Sequence, residues 1–341
     1  MLKKGILFVN LGSPDSPSIK DIRSYLKEFL SDPRVMTMPT IIRWMLLNFY
    51  ILPLRPKKIK PKYEFIWDGE GFPLVSHSRN LADKVADVLG KEFTVRVAMR
   101  YGLPSIEQEI NQLHEEGVSE LLVFPLFPQY SSATTGSVVE KAMEVMKNWQ
   151  ILPKLIINSH FYDHASFIES WCKKGDRYWE QKPDHVLFSF HGLPESHIIK
   201  GDSSGKHCLK TEDCCSTIDD RNYGCYRAQC FKSAKMLASA LSIPNELFSI
   251  SFQSRLGKAK WLEPHTVETV RKLAADGIKK LLVFCPSFVA DCLETTEEIQ
   301  FEVKDEFIKA GGKELELVPS LNSDSKWAVG LAEIIRENFR K

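Results

Sequence analysis

The 341-residue chain holds no apolar run near the ~20 residues that a bilayer-spanning helix needs. It also lacks a dominant charge. Forty-five basic residues stand against 44 acidic ones, a net +1, too little for a strong nucleic-acid field, so no nucleic-acid partner is expected. Met1-Leu2-Lys3-Lys4 leads straight into a short apolar strand, with no small-residue cleavage site of a signal peptide. These absences point to a cytoplasmic protein. Paired C-x2-C motifs of the common zinc modules are missing as well, although the chain has eight cysteines. Length and an apolar fraction of 43% suit two domains of about 150 residues, each with its own core.

What is present is a duplication. Leu7-Phe8-Val9-Asn10-Leu11-Gly12-Ser13-Pro14 is matched by Leu187-Phe188-Ser189-Phe190-His191-Gly192-Leu193-Pro194. Gly117-Val118-Ser119-Glu120-Leu121-Leu122-Val123-Phe124 is matched, 160 residues on, by Gly277-Ile278-Lys279-Lys280-Leu281-Leu282-Val283-Phe284. A helical pattern precedes each of these later strands. Ile106, Ile110 and Leu113 share one face, with Ser105 and Gln108 as a capping-box pair; Val267, Val270 and Leu273 share the other. Further helices are expected around 138–146 and 293–307. Alternating strands and helices imply parallel sheets covered on both faces. The expected fold is α/β: two similar Rossmann-like, doubly wound lobes, residues 1–160 and 161–341, with a cleft between them.

His191 closes the second of the matched strands, at 186–190, and Gly192 and Pro194 turn the chain away from the sheet. Open α/β sheets place their ligands at the carboxyl ends of strands. An imidazole there can transfer protons near neutral pH, or simply bond a loop carbonyl.

The halves differ in two places. The first is about 36–75. An apolar stretch from Ile41 to Leu52, interrupted by Arg43, precedes Arg55, Lys57, Lys58, Lys60 and Lys62, with Pro53, Pro56 and Pro61 among them. It reads as a surface-lying membrane contact with lysines near anionic head groups, as a core helix followed by a solvated loop, or as the wall of a large apolar pocket. The second is 193–230, nearly forty residues where about 2–6 are usual. Its core, about 200–230, holds Cys208, Cys214, Cys215, Cys225 and Cys230, spaced C-x5-C-C-x9-C-x4-C. In a cytosolic protein such a cluster points to zinc or an iron–sulfur centre, or else to a redox disulfide or free thiols.

After the strand at 281–285 comes an acidic stripe, Glu294, Glu298 and Glu302, four residues apart. A solvated face would explain it. Asp291 and Glu294 also fit a capping box. The stripe starts at a strand's carboxyl end, however, as the His191 turn does, and could bind a hard cation or relay protons. The matching segment of the first half, Gln129-Tyr130-Ser131-Ser132-Ala133-Thr134-Thr135-Gly136-Ser137, offers hydroxyls and a phenol instead.

Taken together, these segments resemble the ferrochelatase family, which inserts ferrous iron into a porphyrin in haem synthesis. The resemblance is carried by Phe188-Ser189-Phe190-His191-Gly192-Leu193-Pro194, by Ser251-Phe252-Gln253-Ser254-Arg255-Leu256-Gly257 with Trp261-Leu262, and by Asp291-Cys292-Leu293-Glu294-Thr295. The segment 129–137, Met99-Arg100-Tyr101 and Leu321-Asn322 add to it. It spans nearly the whole chain. It implies chelatase-type lobes with the porphyrin in the cleft, and His191 and Glu294 as the central catalytic pair. Those two, with Glu298 and Glu302, would meet the Fe²⁺ substrate. Met36, Arg100, Tyr101, Tyr130, Ser131 and Trp261 fall at porphyrin-binding positions. The segment around 36–54 matches the family's hydrophobic lip, implying peripheral contact with the inner membrane surface. Members without a metal cluster cross from the histidine turn by a shorter link. The insertion here looks like the internal segment that binds a [2Fe–2S] cluster in some bacterial members. Cys208, Cys215, Cys225 and Cys230 are the favoured ligands, Cys214 the alternate, and zinc the alternative metal. Position 292 is cysteine where some members have histidine. Protoporphyrin IX is the favoured substrate, with coproporphyrin III as alternative; a non-catalytic haem or flavin binder is the reading outside enzymology. The sequence does not settle the oligomeric state.

Overall fold

A computed structural model describes residues 3–211, 213–255, 257 and 259–340. Met1, Leu2 and Leu256, named above, lie outside the described residues. Eight strands form two four-stranded parallel sheets: β1 (Lys3–Asn10), β2 (Phe93–Met99), β3 (Val118–Pro125) and β4 (Lys154–Ile157), then β5 (His185–His191), β6 (Phe248–Gln253), β7 (Lys280–Phe284) and β8 (Glu314–Leu317). The orders are β2-β1-β3-β4 and β6-β5-β7-β8. The second sheet repeats the strand order of the first, so the duplicated sequence is a duplicated topology.

The central strands β1 and β5 are apolar on both faces, as strands covered on both sides must be. Phe8, Val9, Phe188 and Phe190 are fully buried. Helix Ile106–Glu115 starts at the expected Ser105–Gln108 capping box, and its Ile106, Ile110 and Leu113 join Leu121, Val123 and Val138 in one core. Val270, Leu281, Val283, Ile299 and Phe307 make the equivalent core of the second sheet.

The chain divides into two compact units. One comprises Met1–Phe127, Ser132–His160 and Ser323–Lys341; the other, Pro128–Ser131 and Phe161–Asn322. A cut at residue 160 therefore leaves two segments on the other side. The C-terminal helix Ser325–Arg340 packs on the helix Pro73–Leu89 of the first unit, where Arg336 donates to the Val88 carbonyl at 2.8 Å. Residues 128–131 join the second unit through Gln129, whose amide lies 3.2 Å from the Ser233 hydroxyl.

Two helices depart from the α pitch at corresponding places. After β3 the chain is π-helical over Ser132–Gly136 before the α-helix Ser137–Met146. After β7 it is π-helical over Leu293–Val303 before the α-helix Lys304–Lys309. Such wide turns are rare and concentrate at functional sites.

The segment 40–66 is helical throughout, as Thr40–Leu46, a π turn Leu47–Ile51 and Leu52–Ile66. The core-helix reading of this segment does not hold. Ile41 (74% exposed), Trp44 (57%), Phe49 (64%) and Tyr50 (66%) face outward, whereas Arg43 is buried and donates to the carbonyls of Met36 and Met38. The basic stretch is helix, not loop, despite Pro56 and Pro61. Among the described residues no helix is long and apolar enough to cross a membrane.

Candidate active site

Strand β5 ends on His191, paired in register with Gln253, the last residue of β6. The His191 Nδ1 lies 2.6 Å from the Gly192 carbonyl oxygen. A carbonyl only accepts, so Nδ1 carries the proton and Nε2 of the neutral ring keeps its lone pair. The Gly192 N–H donates to the Gln253 carbonyl at 2.8 Å. A side chain at position 192 would lie 2.7 Å from that oxygen and 3.3 Å from the Trp261 ring, so the turn requires glycine. Trp261 is fixed there by a bridge to Pro194 and by the Leu262 N–H donating to the Leu193 carbonyl at 2.9 Å.

Gln253 joins the histidine turn to the acidic helix. It is almost fully buried; its Nε2 donates to the Glu294 carbonyl at 2.7 Å, and its Oε1 accepts from the Ser189 hydroxyl at 2.7 Å. One residue thus holds the strand of His191 and the first turn of the helix that carries Glu294. Its neighbour Ser254 adopts a left-handed φ of +66°, unusual for a residue with a side chain. In that pose its N–H donates to Glu298 Oε1 at 2.9 Å and its hydroxyl bonds Oε2. Burial raises the Glu298 carboxyl to about 7. The neighbouring Glu294 and Glu302 push the same way, and the Ser254 bonds offset only part of the rise. Glu298 is half-buried and Glu302 exposed.

The capping-box reading of Glu294 is overturned. The cap is Cys292, whose backbone N–H donates to the Thr295 hydroxyl at 3.0 Å and whose sulfur accepts from the Thr295 backbone. Asp291 instead accepts from Asn322 at 2.7 Å and from the Ser320 N–H at 3.1 Å. Burial holds the Cys292 thiol in its protonated form, hydrogen-bonded to the Glu294 side chain.

The first unit gathers Met36, Arg100 and Tyr101 around Asp32, a residue the sequence reading missed. Arg100 donates to Asp32 Oδ2 at 2.8 Å and to the Ser137 hydroxyl at 2.6 Å, and the Met36 N–H bonds the Asp32 carbonyl at 3.0 Å. Burial pulls Asp32 upward. Bonds from Ser137, the Arg34 N–H and Tyr101, with the Arg100 charge, outweigh it and keep the carboxyl below its ordinary range. The Tyr101 ring is fully buried, stacked under the Arg100 guanidinium at 4.5 Å, and its hydroxyl bonds Asp32 at 2.8 Å. It supports Arg100 and presents no surface to a ligand. Tyr130 and Ser131 belong to the second unit. The Tyr130 N–H donates to Gln229 at 2.7 Å, and Ser131 is buried.

The insertion brings its five thiols together. Cys208 and Cys215 each hydrogen-bond Cys225, the Cys214 and Cys215 sulfurs are 3.8 Å apart, and Cys230 lies in the field of Cys215. Cys208, Cys214, Cys215 and Cys230 are buried. Asp202 shapes the approach, accepting from the Ser204, His207 and Cys208 N–H groups. Arg227 donates to the Cys215 sulfur at 3.1 Å, and the Leu209 N–H to that of Cys214 at 3.4 Å. Among the described residues no group of three or more His, Cys, Asp or Glu is arranged to hold a metal ion. The donor set is nonetheless one that suits a thiolate-bound cluster: sulfur, buried, with N–H groups aimed at it. Cys225 caps the helix Tyr226–Ala240, and Cys230 lies in its second turn.

Gln253, Ser254, Asp32, Tyr226 and Arg227 are the residues absent from the sequence-derived site. Gln253 and Ser254 stood inside a quoted motif; no local pattern marks Asp32.

The sequence model of the ferrochelatase family matches residues 3–339. A ferrochelatase of Coxiella burnetii is 40% identical over 99% of this chain and 94% of its own length. One of Legionella pneumophila is 41% identical over 99% and 100%, and one of Pseudomonas syringae 45% over 96% of each. Among solved structures, SirB from Bacillus subtilis with Fe³⁺ aligns with a TM-score of 0.55 at 12% identity, covering 99% of this chain and 96% of that one. The sirohydrochlorin chelatase SirB in complex with cobalt aligns with a TM-score of 0.55 at 10% identity, over 99% and 95%. At such identities the likeness establishes the fold.

Proposed function

The chain belongs to the ferrochelatase family and inserts iron into a porphyrin for haem synthesis; from that premise we propose that the porphyrin is protoporphyrin IX and that His191 is the base. Metallation must remove the pyrrole protons and strip water from Fe²⁺. The observation that carries the assignment is the tie of His191 Nδ1 to the Gly192 carbonyl, which leaves Nε2 as an acceptor at the strand end. Gln253 holds Glu294 to the same framework, as an oxygen ligand for the incoming iron or a proton acceptor. Glu298, titrating near neutrality, can hold a proton and pass it toward Glu302. Arg100, held by Asp32, and Trp261, packed on Gly192, are the proposed porphyrin contacts, with Met36, Tyr130 and Ser131 completing the set.

The outward apolar residues of 41–54 favour protoporphyrin, which is less charged than coproporphyrin and partitions into lipid. They also support contact with a membrane surface. In the insertion we propose a [2Fe–2S] cluster on Cys208, Cys215, Cys225 and Cys230, with Cys214 as alternate. A bound cluster would supply redox-active iron and cross-link the segment. The chain's own contribution is to desolvate the thiols and aim Arg227 at them.

The test is anaerobic iron insertion followed optically with both porphyrins. Faster turnover of protoporphyrin supports the proposal; faster turnover of coproporphyrin overturns the substrate choice. His191→Ala should lower turnover at least a hundredfold while porphyrin binding persists. Near-normal turnover would remove His191 from the chemistry.

A further inference from the structure

Helix Tyr226–Ala240 begins among the cysteines and packs against β6. Its first residue follows Cys225, and the Tyr226 side chain also hydrogen-bonds Cys230. The same hydroxyl leaves the insertion altogether: it donates to the backbone carbonyl of His191 at 2.7 Å. It lies 3.1 Å from the Ser287 hydroxyl, which in turn donates to Gln129 Oε1 at 3.1 Å, next to Tyr130. Tyr226 is buried, so water cannot readily replace the lost partner if the hydroxyl moves. The next residue, Arg227, bonds the Cys215 sulfur and stacks on Phe231 at 4.6 Å, which fixes this first helical turn to the thiols. A shift of the cysteine segment therefore moves Tyr226, and Tyr226 moves the peptide from which the His191 ring projects. The ring is anchored one atom group further on, at the Gly192 carbonyl.

We propose that Tyr226 is a positioning residue that ties the His191 backbone to the cysteine-rich segment, so that the state of that segment sets the pose of the imidazole. This rests on the reading of His191 as the base. It gives the insertion a purpose within iron insertion: a segment whose own residues lie outside the proposed chemistry reaches it through one phenol. Tyr226 itself touches no reacting atom.

The test uses the full-length protein purified anaerobically, with Tyr226→Phe, Cys208→Ser and both changes together. Cys208 is chosen because its side chain pairs with Cys225 and not with Tyr226. Histidine rings are isotopically labelled, and the His191 resonance is the one missing from His191→Ala. Tyr226→Phe should lower kcat about tenfold, the effect of one buried hydrogen bond, with KM for porphyrin unchanged. The visible spectrum of the cysteine segment should stay as in the parent, and the His191 resonance should move. Cys208→Ser should lower kcat and move the same resonance in the parent protein, yet add little to either in the Tyr226→Phe background. Effects on kcat that multiply, or a His191 resonance that stays in place in Tyr226→Phe, would overturn the tie. An active His191→Ala would instead overturn the base assignment, and the tie would still be read from the resonance.

Discussion

With Cys292 as the cap, Glu294 is not needed to close the first turn of the acidic helix, and the proposal gives it a part in iron insertion instead. With Cys292 and Thr295 holding the first turn, Glu294→Gln should change stability by less than about 1 kcal/mol. Iron insertion should fall by about 10²–10⁴-fold. Thermal unfolding and steady-state turnover measured side by side check this; a destabilised but active variant would return Glu294 to a capping role. Glu298 makes a pH prediction. Its carboxyl is raised from 4.5 to about 7 in the folded protein, so the fold binds that proton more tightly than the unfolded chain does. The resulting stability is full below about pH 4.5 and is lost as pH climbs through 7. Relative to wild type, Glu298→Gln should therefore gain on the order of 2 kcal/mol between pH 5 and pH 8. Denaturant titrations at the two pH values measure the difference. A constant difference would mean that Glu298 is ionised throughout.

At the scale of elements, periodicity and pitch part company. The four-residue spacing of Glu294, Glu298 and Glu302 suggests an α-helix, but the backbone over Leu293–Val303 is π-helical. Spacing alone cannot distinguish the two, because i and i+4 neighbours share a face in the first and nearly so in the second. What separates them is tertiary: Gln253 takes up the Glu294 carbonyl, and Ser254 grips Glu298. The lip shows a similar division. Its apolar composition is plain in the sequence, whereas the outward direction of Ile41, Trp44 and Phe49 follows from Arg43 turning inward onto the Met36 and Met38 carbonyls. Lys57 and Lys58 are exposed, while Lys60 pairs with Glu64. Lys57→Gln with Lys58→Gln should thus weaken sedimentation with anionic vesicles several-fold, and 0.5 M salt, which cuts the Debye length to about half its physiological value, should do the same. Binding that ignores both salt and lipid charge would leave only the apolar part of the contact.

Across the molecule, the repeated strand order makes each sheet a copy of one plan, against which the segments that differ between the copies stand out. The cysteine insertion is one of them. Purified anaerobically, the protein should be reddish, with two irons and two sulfides per chain, since thiolate-to-iron charge transfer colours such clusters and zinc would not. Cys208→Ser, Cys225→Ser and Cys230→Ser should bleach it, and Cys214→Ser should do so less. Metal and sulfide analysis decides the matter: one zinc and no sulfide would replace the cluster with a structural zinc while leaving His191 and Glu294, which lie outside the insertion, as they are.

Strand-and-helix alternation, the 160-residue repeat, the strand-end histidine and the thiol cluster were all legible in the order of residues. Each depends on neighbours close in the chain or on the sequence compared with itself. The partners of those residues were not legible. Gln253 stands 41 positions from Glu294, Tyr226 35 from His191 and Ser137 105 from Asp32, and each meets its partner only because parallel strands carry distant turns to the same sheet end. The burial of Tyr101, the place of residues 128–131 in the second unit and that of the C-terminal helix in the first were not legible either, because each depends on contacts between residues far apart in the chain. Local pattern specifies elements; which side chains close the hydrogen bonds of a buried site is decided when those elements pack.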